Sequence, residues 1–128
     1  MMKTLFLLLT FISLSALACV APHMGEEFDA LVEVKRIENN KFKVIVSKKA
    51  KHLDYGVDIF LAYYKTDLEY RLPKHREILS KNKVGNNYIS EIEVKPIEGF
   101  TPFIMVSWEP EMCCLCGAIA YSGNLVLQ

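Results

Sequence analysis

Apolar side chains recur through this chain in short runs, several of which alternate with polar residues at a period of two. The segments 30–37 (ALVEVKRI), 41–47 (KFKVIVS), 57–64 (VDIFLAYY), 88–95 (YISEIEVK), 101–108 (TPFIMVSW) and 117–128 (GAIAYSGNLVLQ) are rich in β-branched and aromatic residues. Successive side chains of a strand point to opposite faces, so such segments predict strands. Between them lie Asn39-Asn40, Gly85-Asn86-Asn87, Glu98-Gly99 and Pro110, all residues that favour turns. Only 67–81 (DLEYRLPKHREILSK) has the composition of a short helix, and Pro73 breaks it unless it starts one. Six or seven short strands at this spacing predict an all-β fold, an antiparallel sandwich or barrel.

The first two strands fix their own register. Val32 and Val34 share one face of the first, and Phe42, Val44 and Val46 share one face of the second. A two-residue turn at Asn39-Asn40 would pair Val34 with Ile45 and send the two stripes to opposite sides of the sheet. A three-residue loop, Glu38-Asn39-Asn40, pairs Val34 with Val44 and Val32 with Val46, so both stripes face the core. That loop is predicted, with Asn40 in the left-handed conformation that asparagine tolerates.

Residues 1–18 (MMKTLFLLLTFISLSALA) have a different character. One cation, Lys3, precedes an uncharged stretch from Leu5 to Leu17, and Ala18 stands before Cys19. This is the layout of a secretory signal peptide, too short to span a bilayer of about 30 Å as a stable helix. The end of the segment, Ser15-Ala16-Leu17-Ala18-Cys19, resembles the lipobox of bacterial lipoproteins, although Ala16 stands where that family usually has leucine. The resemblance implies cleavage before Cys19, acylation of that cysteine with diacylglycerol and palmitate-type chains, and stable membrane anchoring by the lipid alone. Val20 after the cysteine, rather than aspartate, favours the outer membrane by analogy with enteric lipoproteins. Without lipidation, ordinary cleavage after Ala18 or Ala21 would leave a secreted or periplasmic protein. The expected organisation is therefore signal peptide 1–18, lipidated tether 19–28 and sandwich domain 29–128.

The remaining chain is long enough for one domain with one core. The full chain holds 15 Lys+Arg and 15 Asp+Glu, and loss of Lys3 leaves 14 against 15, a formal charge of about −1. There is no basic excess to attract nucleic acid, which excludes that class of partner by long-range electrostatics. The order VDIFLAYY, NNYISEIEV, EGFTPFIMVSW (residues 57–64, 86–94 and 98–108) resembles small periplasmic immunoglobulin-like domains of the FixH/YtkA type. The resemblance covers about half of the processed chain. It implies an antiparallel immunoglobulin-like β-sandwich of about seven strands, and some relatives of that type handle copper.

The candidate chemistry lies in EPEMCCLCG, residues 109–117. Cys113 and Cys116 form a C-x-x-C, but a strand follows it rather than the helix whose N-terminus activates a thioredoxin-type thiol. In an oxidising compartment a structural disulfide is the plainest expectation. Adjacent Cys113 and Cys114 have α-carbons about 3.8 Å apart, below the usual limit of about 4.4 Å, so Cys113 with Cys116 is the easier pair. The alternative is a soft-metal site. Met112, Cys113, Cys114 and Cys116 offer four sulfurs, a donor set for Cu(I) or, with enough thiolates, zinc. For zinc a fourth ligand would come from His23, His52 or His75, and His23-Met24 in the tether adds a nitrogen and a sulfur.

No catalytic glycine, serine or histidine signature is present, and the carboxylates are scattered on alternating strand faces, so the chain is expected not to be an enzyme. Glu109 and Glu111 beside the cysteines are expected to be ordinary loop carboxylates, and Tyr63, Tyr64, Tyr70, Phe103 and Trp108 to be packing residues. Two functions remain: a lipid-anchored copper-binding sandwich, or an envelope lipoprotein that recognises another protein, its cysteines stapling a loop.

Overall fold

The computed structural model describes residues 24–47, 56–67, 73–109 and 117–128. A helical turn, α1 (Glu26–Asp29), precedes eight strands: β1 (Val32–Glu38), β2 (Lys41–Ser47), β3 (Gly56–Lys65), β4 (His75–Ile78), β5 (Asn82–Val84), β6 (Asn87–Glu93), β7 (Phe100–Glu109) and β8 (Ala118–Asn124). They form two antiparallel sheets, β1-β2-β6-β5 and β4-β3-β7-β8. In the lettering of immunoglobulin-like sandwiches this order reads A-B-E-D against C′-C-F-G. The expected all-β sandwich is thus present, with eight strands rather than about seven.

The core lies between the sheets and is filled by the inward stripe of each strand. Phe42, Val44 and Val46 of β2 meet Val57, Ile59 and Leu61 of β3 and Ile104, Val106 and Trp108 of β7. Burial of these apolar faces supplies the main drive to fold, at about 25 cal/mol per Å² removed from water.

The β1–β2 hairpin has the expected pairing, Val32 with Val46 and Val34 with Val44. Its turn corrects the predicted loop. Glu38 pairs with Lys41, so Asn39-Asn40 makes a two-residue turn, and the register shift falls between Arg36 and Glu38. The extra residue is therefore Ile37, bulged and 51% exposed, rather than a third loop residue. Asn39, not Asn40, takes the left-handed conformation, at φ 44°. Asn40 is occupied otherwise: its side chain accepts from the Gln128 backbone N–H at 2.7 Å and donates to the Gln128 carbonyl at 3.2 Å.

The helix expected over 67–81 is corrected for the residues described, 73–81. His75–Ile78 is an edge strand on β3, with Phe60 opposite Ile78 and Tyr63 opposite His75. Leu79 and Tyr63 complete the attachment, the Leu79 N–H donating to Ile59 and the Lys74 N–H to the Tyr63 carbonyl. All four β4 residues are exposed. Charged side chains on so short an edge discourage pairing with another chain. The next strand, β5, returns to the first sheet and turns into β6 at Gly85, whose φ of 61° suits glycine.

Candidate functional site at one end of the sandwich

Strand directions decide which segments meet. Gly56, at the start of β3, pairs with Glu109, at the end of β7, and Trp108 pairs with Ala118, at the start of β8. In the other sheet Val46, near the end of β2, pairs with Val32, and the Ser47 N–H donates to the Leu31 carbonyl at 2.9 Å. The two sheets join at this end through α1. Phe28 packs on Trp108 with ring centroids 6.2 Å apart, and the Tyr121 N–H donates to Asp29 Oδ1 at 3.1 Å. Glu26, Glu27 and Phe28, the last residues of the expected tether, lie in this helical turn.

The anchors of three segments therefore lie together: Met24, which follows 1–23; Ser47 and Gly56, which bound 48–55; and Glu109 and Gly117, which bound 110–116. The expected lipidation site Cys19 and the expected ligands His23, Met112, Cys113, Cys114 and Cys116 lie outside the described residues, as do His52 and the expected Cys113–Cys116 disulfide. His75 is described and stands at the other end. Its partner Tyr63 is seven residues along β3 from Gly56, roughly 24 Å at about 3.4 Å per residue. It packs edge-on against Phe100, 5.1 Å between centroids. Among the described residues no group of three His, Cys, Asp or Glu side chains is close enough to hold a metal ion, and all four cysteines lie outside them.

The described root of the 110–116 segment is apolar and firmly held. Trp108 is 1% exposed, and its indole Nε1 is a buried donor without a hydrogen-bond partner. Glu109 emerges beyond it, its carboxylate oxygen 3.5 Å from the position a Cβ would take on Gly56. The root thus presents one exposed carboxylate above a rigid aromatic floor.

At the opposite end Tyr63 donates its hydroxyl to the Lys95 carbonyl at 3.1 Å, tying β3 to the segment before β7. Burial raises the pKa of this phenol above its ordinary value, and the nearby Glu77 carboxylate adds to the rise. A cleft of about 250 Å³ opens between the β1 and β8 edges, lined by Val34, Arg36, Phe42 and the tail from Ser122 to Val126. Arg36 fills its mouth, stacked on Phe42 at 5.0 Å and donating to the Asn39 and Val126 carbonyls. Those bonds occupy the cation that would otherwise receive an anionic ligand.

One surface went unread as a candidate site in the chain alone. Tyr63 and Trp108 are core residues, as expected, but Phe103 and Tyr64 lie on the outward side of the second sheet. There Tyr64 and Tyr121 flank Phe103 edge-on, each 5.7 Å away. The signal was the near-continuous apolar run of β7, FIMV at 103–106, which a strand buried on one face only does not need.

Comparison with family models, curated proteins and solved structures returns no match to this chain. Among the described residues no helix is long and apolar enough to cross a membrane.

Proposed function

We propose that the protein is an exported, lipid-anchored β-sandwich of the bacterial cell envelope that binds a soft metal, copper(I) ahead of zinc, through Met112, Cys113, Cys114 and Cys116. The observation that carries this reading is the strand order. The described residues that flank 1–23, 48–55 and 110–116 share one end of the sandwich, whereas His75 stands at the other, which supports drawing ligands from those segments rather than from His75. His23 is the favoured nitrogen donor, since it lies one residue before Met24 in the same arm. Thiolate and thioether donors select Cu(I), and the buried Trp108 floor limits water at the root of the segment. Lipidation at Cys19 would anchor the chain beside the same end.

The test is metal analysis and thiol counting on protein purified without oxygen. Three reactive thiols with about one bound copper per chain support the proposal. One free thiol or none, with no metal, overturns it. Mass spectrometry of the amino-terminal peptide tests the lipid separately.

The apolar outer face of the second sheet favours a second reading, in which the lipoprotein works by contact with another protein and Cys113–Cys116 is a structural disulfide. A reductant-sensitive loss of one thiol pair, with no copper uptake, would be its signature.

A further inference from the structure

Each sheet of the sandwich ends in two edge strands, and they differ in what they leave open. On the second sheet β4 is only four residues long. The other edge, β8, is obstructed: its Tyr121 N–H already donates to Asp29 Oδ1 at 3.1 Å, and its ladder is irregular between Phe103 and Met105. On the first sheet β5 is three residues long. The remaining edge, β1, is seven residues long and pairs regularly from Val32 to Arg36. Among the described residues no strand lies on its far side. The Ser47 N–H donates to the Leu31 carbonyl at 2.9 Å, so these two form a hydrogen-bonded pair, and Glu33–Ile45 and Lys35–Lys43 are the next ones along the ladder. The same alternation turns the backbone N–H and C=O of Val32, Val34 and Arg36 outward, away from β2. The core-facing side of this edge is incompletely covered as well: Val32 and Val34 are half-buried, whereas their partners Val46 and Val44 are fully buried.

We infer that the β1 edge pairs antiparallel with the β1 edge of a second copy, joining the two first sheets into one continuous sheet. The charges select both the occupant and the register. Glu33 and Lys35 stand on the outward face of β1 with side chains 59% exposed, and they meet each other along the strand at 3.2 Å, an exposed contact that contributes little. Across the ladder Glu33 faces Ile45, and Lys35 faces Lys43, a like-charge pair. A two-fold axis at Val34 sets Val34 opposite its own equivalent, Val32 opposite Arg36, and Glu33 opposite Lys35 in both directions. Each Lys35 then gains a carboxylate directly opposite, in the closer, non-hydrogen-bonded type of pair. Moving the axis by one residue, to Glu33 or to Lys35, sets like charges against each other instead. An edge carrying lysine alone would repel a second copy, but the Glu-x-Lys order of β1 is its own complement in this register. The backbone fits the same axis, because the outward groups of Val32, Val34 and Arg36 face each other there and supply about six hydrogen bonds. The Arg36 guanidinium keeps its bonds to the Asn39 and Val126 carbonyls, since the ladder uses that residue's backbone. A paired edge of about 17 Å is a small contact, of the class that exchanges with monomer on dilution.

The pairing uses neither metal nor lipid, and the test keeps them apart. Sedimentation velocity of the purified chain, in reductant with a metal chelator, is expected to show a monomer–dimer equilibrium over about a hundredfold range of concentration reaching about 1 mM. Amide exchange at Val34 should slow as the dimer fills. Glu33→Lys and Lys35→Glu should each shift the midpoint toward monomer by about tenfold or more, with an unchanged circular dichroism spectrum because both side chains are exposed. Mixed in equal amounts, these two variants should associate with each other, since every opposed pair is then complementary, and the double variant should recover the parent's midpoint. Ile78→Lys, on the β4 edge of the other sheet and 61% exposed before the change, should leave the midpoint in place. A single copy at all concentrations, a dimer seen only without reductant, a dimer that neither charge variant weakens or that Ile78→Lys does, Val34 exchange that ignores concentration, or failure of the mixture and the double variant to recover would each overturn the inference.

Discussion

Replacing Trp108 by phenylalanine should change the stability of this protein by less than about 1 kcal/mol, although Trp108 is 1% exposed and among the largest fully buried side chains. The expectation follows from opposing effects at one site. Trimming the indole to a benzene ring takes away about 40 Å² of buried apolar surface, costing about 1 kcal/mol at about 25 cal/mol per Å². It leaves about 40 Å³ unfilled, costing about 1 kcal/mol more if the neighbours do not collapse. Against this, the buried Nε1 donor has no hydrogen-bond partner, and losing that N–H removes a desolvation penalty of about 1–3 kcal/mol. Trp108→Ala, which forfeits the whole ring and the contact with Phe28, should cost about 3–5 kcal/mol. Urea unfolding followed by far-ultraviolet circular dichroism is the assay, because Trp108 is the sole tryptophan and its fluorescence disappears with it. A loss of about 3 kcal/mol or more in Trp108→Phe, with unchanged urea dependence, would show that the indole N–H is hydrogen-bonded in the folded protein and would refute the reasoning.

Three further outcomes are expected. Tyr63→Phe should be less stable than the parent by about 0.5–1.5 kcal/mol at neutral pH, from loss of the bond to the Lys95 carbonyl. Because the folded protein raises this phenol's pKa, its contribution is complete below the ordinary phenol value of about 10 and fades as pH climbs through the folded value, so the gap to Tyr63→Phe should close in alkali; a pH-independent gap would contradict it. Asn39→Gly should be nearly neutral and Asn39→Val should cost about 1 kcal/mol or more in thermal or urea melts, since only position 39 of the turn holds a positive φ; equal costs for the same changes at Asn40 would argue against the turn described. His23→Ala should weaken the copper affinity measured by competition with a Cu(I) chelator, and more than His52→Ala does, while His75→Ala should have no effect; an effect at His75 would contradict the placement of that residue at the other end of the sandwich.

Much of this architecture was legible in the chain because period-two patterning reports which side of a sheet a residue occupies. Val32, Val34, Phe42, Val44 and Val46, with the short connection between the strands, sufficed to pair β1 with β2 correctly, since a one-residue slip exposes one stripe. The same reasoning could not tell a longer loop from a bulge, because both restore the register and differ only in whether Glu38 or Ile37 is left unpaired. Strand β4 was invisible for a related reason. All four of its residues are exposed, so burial leaves no alternation in KHREI, and its backbone is held by hydrogen bonds to Ile59 and Tyr63 that no local pattern encodes.

The candidate chemistry divides in the same way. Four sulfur donors within residues 112–116 are a property of the sequence by itself, and so is the pattern that marks residues 1–18 as a signal peptide. Which end of the sandwich a flanking residue occupies depends on the order and direction of strands, which put Ser47, Gly56 and Glu109 at one end and His75 at the other. The apolar outer face is likewise a tertiary property. A run such as FIMV shows that both sides of a strand are apolar, but only the stacking of the two sheets decides which side meets the core between them and which points outward.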